Sequence, residues 1–288
     1  MIPNFLRDTV TVNRLREFAF GREDFEALRT LVKQLTGINL SDQKRELVYG
    51  RLARRLRALQ LKSFAEYREV LANDGGKEIV ELCNAITTNL TAFFREPHHF
   101  EYLREQVLLP RAMDPAHPRR LRIWSAGCST GEEPYSIAMT ILESLPDLRR
   151  WDIRILATDL DSDVLERGRR GSYAADRVRG LNPERIARFF SQREERKELY
   201  YQVNPDVAAL ITFKQLNLMR PLPMKGPLDL IFCRNVVIYF DKDTQRSLFA
   251  RVAHLQRAGD LLFLGHSESL FKVSEDYALI GRTIHRRL

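Results

Sequence analysis

The stretch Arg122-Ile-Trp-Ser-Ala-Gly127-Cys-Ser-Thr-Gly131-Glu132-Glu133-Pro134-Tyr135, followed by Asp152-Ile-Arg-Ile-Leu-Ala-Thr-Asp159, limits what this chain can fold into more than any other feature. It reads as a strand, a loop cornered by glycines, a helix, and a second strand that ends in an acid. Glycine corners let backbone approach a ligand closely, and the helix that follows presents unpaired N–H groups at the same place. An acid closing the next strand is placed to accept hydrogen bonds from the two hydroxyls of a ribose. This is the layout of a nucleotide-type site at the carboxyl ends of parallel strands.

The loop chemistry narrows the ligand. A dinucleotide fingerprint needs G-x-G-x-x-G, and a phosphate loop needs G-x-x-x-x-G-K-[ST]. Here the spacing is G-x-x-x-G, no lysine follows, and Glu132 and Glu133 stand where a polyphosphate would be repelled. A ligand carrying positive charge fits better. S-adenosylmethionine has a ribose for Asp159 and a sulfonium and ammonium for nearby acids and carbonyls.

Around this core the pattern divides in two. Glu23 to Thr36, Asp42 to Gln60, Ser63 to Ala72 and Glu78 to Asn89 all read as helices, so residues 1–100 are expected to form an all-helical N-terminal domain. In the second helix Val48, Leu52, Leu56 and Leu59 share one face, while Lys44, Arg51, Arg54 and Arg55 share another, a candidate strip for an acidic partner. From Leu121 onward strands alternate with helices, which implies an α/β domain over 101–288 with a parallel sheet covered on both faces. Met113 to Arg120, where Pro115 and Pro118 break helical continuation just before the opening strand, is the linker candidate. Ser172 to Phe213 reads as an insertion of about 172–213, with a short helix opened by Asn182-Pro183, an aromatic strand at Leu199 to Val203, and a polar loop or turn at Ser191 to Glu198. Ala278 to Arg286 reads as a closing hairpin around Gly281.

Composition excludes several classes. No apolar run reaches the eighteen or so residues of a membrane span, and no signal-peptide pattern opens the chain, so a cytoplasmic monomer is expected. Cys83, Cys128 and Cys233 lack metal or disulfide spacing. No metal site is expected at His98 and His99, which point about 100° apart on a helix with no Cys or acid at matching spacing. The net charge of +8 suits a polyanion, whether nucleic acid or an acidic protein face.

Thr87-Thr-Asn89-Leu-Thr91-Ala-Phe-Phe-Arg95-Glu-Pro-His-His-Phe100, Trp124-Ser-Ala-Gly-Cys-Ser-Thr-Gly-Glu-Glu-Pro-Tyr-Ser136 and Ile231-Phe-Cys-Arg234-Asn235-Val-Val-Ile-Tyr239-Phe resemble the chemotaxis receptor methyltransferases, the CheR-type protein-glutamate O-methyltransferases. Lys44 to Arg57 resembles their basic helix, and Gly265-His-Ser-Glu268 is a further matching segment. The resemblance runs from about residue 20 to the C-terminus. It implies a Rossmann-like S-adenosylmethionine-dependent domain with an inserted small β-subdomain, behind a small helical domain. It implies that Asn89, Thr91, Arg95, Glu133, Asp159, Asn217, Leu218, Arg234 and Asn235 surround the cofactor, with S-adenosylhomocysteine as product.

Of these, Asp159, Arg234 and Asn235 also follow from strand-end position alone, whereas Asn217 in Leu216-Asn-Leu218 follows only from the resemblance. Arg95 and Tyr239 are expected to orient the cofactor or the incoming carboxylate. The implied partners are the acidic methylation helices of chemoreceptors, met by Lys44, Arg51, Arg54 and Arg55. Nucleic acid is disfavoured, because the place after the fourth strand holds Arg234-Asn235-Val-Val and not the Asn/Asp-Pro-Pro-Tyr/Phe turn of amino-group methyltransferases. Some members of the family also tether through a glycine-containing loop of the β-subdomain to a receptor's C-terminal pentapeptide. Ser191 to Glu198 holds no glycine, so no tether is expected here.

Overall fold

The computed structural model describes residues 16–145, 147–195 and 197–288. Residues 1–15, which include the N-terminal segment without a signal-peptide pattern and the start of the expected helical domain, lie outside the described residues. The described residues open with four α-helices: α1 (Arg22–Thr36), α2 (Arg45–Ala58), α3 (Phe64–Asn73) and α4 (Lys77–Ile86). Gly37 ends α1 at φ +76, a left-handed position that favours glycine. Phe25, Leu28, Val48, Leu52, Leu56, Phe64, Tyr67 and Leu82 form a core of their own.

Helix α4 stops at Ile86, three residues before the expected end at Asn89. The cause lies in α2. The Arg51 guanidinium donates to the carbonyls of Ala85, Ile86 and Thr87 at 3.2, 2.6 and 2.8 Å, satisfying the last turn and turning the chain into an extended strap. That strap leads to α5 (His98–Tyr102), a π-helical stretch Leu103–Leu108, and α6 (Leu109–Met113).

The rest alternates as expected: β1 (Arg120–Ala126), α7 (Glu132–Ser144), β2 (Asp152–Asp159), α8 (Ser162–Arg170), β3 (Ser172–Ala174), α9 (Ala175–Val178), α10 (Pro183–Phe189), β4 (Phe190–Glu195), β5 (Glu198–Val203), α11 (Pro205–Ala208), β6 (Ile211–Gln215), β7 (Leu230–Cys233), α12 (Lys242–Ala253), β8 (Leu261–Leu264), β9 (Tyr277–Leu279) and β10 (Ile284–Arg287). The main sheet has the order β6-β2-β1-β7-β8-β10-β9. The first five strands are parallel, and β10 runs antiparallel to both its neighbours. Successive side chains alternate between faces, as a doubly covered sheet requires: Leu230 and Phe232 enter one core, Ile231 and Cys233 the other.

The expected insertion carries a three-stranded antiparallel sheet, β3-β5-β4. Two details differ from the sequence reading. Ser191 to Glu198 is not a loop: β4 pairs with β5 from Phe190↔Val203 to Glu195↔Glu198. Its polarity is that of an exposed edge strand held by main-chain pairing, not by an apolar face. The turn between the strands still needs a left-handed residue, and Lys197 supplies it at φ +66. Ile211 to Phe213, taken as the end of the insertion, belong to β6 at the edge of the parallel sheet.

Among the described residues no helix is long and apolar enough to cross a membrane. The two parts are tied together around one end of the sheet. Asn84 and Ser162 exchange hydrogen bonds, Thr87 and Asn89 both donate to Asp161 Oδ2, and Lys33 pairs with Asp241 at 2.7 Å. Ile38 and Phe240 form an isolated β-bridge.

Candidate functional site

At the carboxyl ends of β1, β2, β6 and β7 the helical domain and the strap roof a cleft. Ligands in open α/β sheets bind at this end of the strands. Asn89, Thr91, Arg95, Glu133, Asp159, Asn217, Leu218, Arg234, Asn235 and Tyr239 all line it, and so does Lys44. Residues separated by up to 195 positions in the chain thus face one volume.

The floor is built by the glycine loop. Gly127 sits at φ +77, and a Cβ there would lie 2.3 Å from Val236 Cγ2, so only glycine lets the loop close on the β7 turn. The N–H groups of Gly127 and Cys128 both donate to Thr158 O, latching the loop to the end of β2. Asp159 then accepts from Ser129 N at 2.8 Å and Asp161 N at 3.0 Å. Burial pushes its pKa up, and these two N–H groups oppose the shift. One of its faces remains on the cleft.

Glu133, in the first turn of α7, accepts from Ser125 Oγ at 2.7 Å and pairs with Arg234 Nη1 at 2.9 Å. Burial raises its pKa, while the Arg234 charge and the Ser125 hydroxyl work against the rise. Arg234, itself 5% exposed, also bonds the carbonyl of Arg95 and lies 3.3 Å from Glu96 Oε2. Glu96 continues the network to His266 Nδ1 at 3.0 Å. Burial disfavours the Glu96 carboxylate, but the His266 hydrogen bond and the Arg234 charge outweigh it and hold its pKa down at about 2.

Phe94, Glu96, Ser129 and Asn235 all adopt left-handed φ between +48 and +59. Non-glycine residues held this way are uncommon, and here they bracket Arg95 and both strand-end turns. Arg95 donates to Leu90 O at 2.8 Å, bracing the strap over the cleft. Asn217 joins the two parts: Nδ2 donates to Leu35 O at the end of α1, and Oδ1 accepts from Met219 N. The Lys44 ammonium lies 5.3 Å from the centre of the Tyr239 ring, at the mouth.

The basic face of α2 divides. Arg55 forms a bidentate pair with Glu78 (2.9 and 2.6 Å) and reaches Glu81 at 3.0 Å, and Arg51 is spent on the end of α4. Arg54 is exposed, and Lys44 faces the cleft. The helical wheel had grouped all four.

The expectation that no acid matches His98 and His99 also changes, because Glu96 stands three residues before His99 and its carboxylate lies near both rings. The physical content of that group is an ion-pair network. Arg234 already holds the carboxylate, and His99 Nε2 donates to the Arg282 carbonyl at 3.2 Å and lies 3.1 Å from Thr283 Oγ1. A cation there would sit against a buried guanidinium.

Sequence reasoning missed Glu268. Its carboxylate accepts from the backbone N–H groups of Gly265, Asn235, Val236, Val237 and Ile238, at 2.6 to 3.2 Å. The only signal was its membership in Gly265-His-Ser-Glu268, which says nothing of those partners.

With the cleft described, comparison with known proteins is direct. Residues 89–285 match the model of the CheR methyltransferase S-adenosylmethionine-binding domain, and residues 23–87 match the model of the CheR methyltransferase all-alpha domain. The chain is 44% identical to chemotaxis protein methyltransferase 2 of Pseudomonas aeruginosa, over 94% of this chain and 95% of that one. It is 40% identical to the chemotaxis protein methyltransferase of Salmonella typhimurium, over 96% of this chain and 94% of that one. To the chemotaxis protein methyltransferase of Escherichia coli it is also 40% identical, over 93% and 91% of the two chains. A mostly parallel sheet whose strand ends carry a glycine loop and the buried Asp159, joined to an all-helical domain that roofs the same cleft, agrees with both matched models, and the chain belongs to the CheR methyltransferase family.

Proposed function

We propose that this protein transfers the methyl group of S-adenosylmethionine to glutamate carboxylates in the cytoplasmic region of chemoreceptors, forming glutamyl methyl esters for sensory adaptation and releasing S-adenosylhomocysteine. The observation that carries the reading is the convergence of Asp159, Glu133, Arg234, Asn235, Asn89, Thr91, Asn217 and Leu218 on one cleft in a chain of this family. In this reading Asp159 holds the ribose through the face its backbone partners leave open. Burial of the Asp159 and Glu133 carboxylates disfavours their anions more than their hydrogen-bond and ion-pair partners restore, and a sulfonium with its ammonium group offsets the remainder.

The chemistry needs no general base. A receptor glutamate has an ordinary pKa of about 4.3 and is already ionised near neutrality. Its carboxylate oxygen forms the new C–O bond while the methyl–sulfur bond breaks, and the sulfonium becomes a neutral thioether. The protein's work is positioning and exclusion of water, which supplies up to roughly 7 to 11 kcal/mol when the reacting atoms are well aligned. Arg95 and Tyr239 are assigned to orient the carboxylate at the mouth. Lys44 and Arg54 meet the acidic receptor surface, and Arg51 and Arg55 hold the helix that presents them.

The test is transfer of labelled methyl from S-adenosylmethionine to chemoreceptor-containing membranes, with RNA as control. The expected result is label on the receptor that mild alkali releases as methanol. Alkali-stable label on RNA, or no transfer despite cofactor binding, refutes the reading.

A further inference from the structure

The cleft residues on the β7 turn are set by a side chain that does not itself line the cleft. Arg234, Asn235 and Tyr239 occupy a segment with no regular pairing beyond Cys233, except the single turn Val237–Tyr239. Four consecutive N–H groups there, from Asn235 to Ile238, have lost the strand and not yet gained a helix. All four converge on the carboxylate of Glu268, which is 5% exposed and lies on the chain just past β8. The division between its two oxygens is informative. Oε1 accepts from Val236, Val237 and Ile238, and Oε2 accepts from Asn235 and Gly265.

The Oε2 half therefore ties the ends of two neighbouring parallel strands to one point. It also fixes Asn235 at φ +59, in the left-handed region, with its side-chain amide lying over the bare Cα of Gly265. A Cβ on Gly265 would come within 2.4 Å of Asn235 Nδ2. A buried anion that gathers five N–H donors is well satisfied, and burying it without them would be costly.

We propose that Glu268 is a positioning residue for the cofactor site: its carboxylate sets the backbone of Asn235, and through it the placement of the Asn235 amide and the Tyr239 ring. The inference rests on the reading of the cleft as the S-adenosylmethionine site. Glu268→Gln keeps the volume but turns one oxygen into an NH₂ group. With the remaining oxygen on the three-donor side, that NH₂ faces the N–H groups of Asn235 and Gly265 and repels both. Gly265→Ala reaches Asn235 from the other side without altering the carboxylate.

The experiment is titration calorimetry of S-adenosylhomocysteine with wild type, Glu268→Gln and Gly265→Ala. It is run well below the melting point of each protein, with folding checked by circular dichroism and KM for cofactor and for receptor measured in parallel. Both variants are expected to bind S-adenosylhomocysteine roughly tenfold or more weakly and to raise KM for the cofactor more than KM for the receptor, because a small misplacement at a binding site has large effects. A lowered melting temperature with wild-type affinity in either folded variant would reduce Glu268 to a purely structural anchor and overturn the proposal. If Glu268→Gln does not fold, Glu268→Asp, which keeps the charge but withdraws the carboxylate by one methylene from its five N–H donors, is measured in its place with the same two outcomes. Wild type that binds no S-adenosylhomocysteine removes the cofactor reading and this inference together; wild type that binds, with the folded variants equal to it, removes only this inference.

Discussion

Arg55→Ala separates two roles that the basic face of α2 superimposes. The guanidinium makes two parallel hydrogen bonds to Glu78 and a third contact to Glu81. Glu78 is only 4% exposed, and its other side-chain donor is the Tyr67 hydroxyl at 3.0 Å. Removing one partner of a fully buried pair costs about 3 to 5 kcal/mol, because the remaining charge is left uncompensated. Two features reduce that figure here: the Arg55 side chain keeps 25% exposure, so water reaches the site, and Tyr67 still donates. The expected loss is about 2 to 3 kcal/mol. Exposed Arg54, one residue earlier, should cost within about 0.5 kcal/mol when changed to Ala, while raising KM for receptor. Urea unfolding at pH 7 followed by far-ultraviolet circular dichroism reads the two stabilities, and methyl transfer to receptor at varied receptor concentration reads KM. In the cycle with Glu78→Gln, the pair should show a coupling energy of roughly 2 kcal/mol. Wild-type stability in Arg55→Ala together with a raised receptor KM would refute this division and return Arg55 to the receptor-contacting surface.

Other outcomes follow from the cleft. Asp159→Ala should weaken cofactor binding by about 2 to 3 kcal/mol, roughly 30- to 150-fold, by removing a charged acceptor; unchanged affinity in calorimetry would take Asp159 out of the site. Tyr239→Phe is expected to lower kcat with cofactor affinity intact, and methylation at the wild-type rate would exclude a role for the hydroxyl. Burial, then the charges of Arg234 and His98, push the His99 pKa down from 6.5 to about 3. Between those values the unfolded chain binds one more proton than the folded chain at this residue, so stability falls with falling pH at up to about 1.4 kcal/mol per unit. His99→Gln should flatten the stability profile between pH 6 and 4.5, and an unchanged slope would show that His99 is not held neutral. Calorimetry with a receptor C-terminal pentapeptide should show no binding, and micromolar affinity would overturn the expectation drawn from the glycine-free Ser191–Glu198 segment.

What could be read from residues alone was what depends on local position. Asp159, Arg234 and Asn235 were legible because each follows an apolar strand, and the end of a parallel strand has a known destination. Gly127 was legible as a corner, since only a left-handed residue without Cβ lets the loop meet Val236. What failed depended on partners far along the chain. A helical wheel groups Arg51 with Arg54, but only the passage of α4 beneath α2 decides that Arg51 is consumed by three carbonyls while Arg54 is left to solvent. The spacing of Glu96 and His99 looks the same with or without Arg234, which stands 138 positions after Glu96 and changes the chemistry of the group. β4 carries no alternating apolar pattern because its stability comes from β5, not from a buried face.

Glu268 is the extreme of the same rule. A glutamate in a polar tetrapeptide has no periodicity to betray it, since its partners are backbone N–H groups, which every residue except proline possesses. Side chains that bind backbone leave no complementary residue type for a reader of sequence to find. The supports of a strand-end site are for that reason harder to read than its lining: Asp159 stands at the end of a parallel strand, where a reader of sequence knows to look, whereas Glu268 and Arg51 are met by peptide groups whose need for a partner appears only once the turn has been folded.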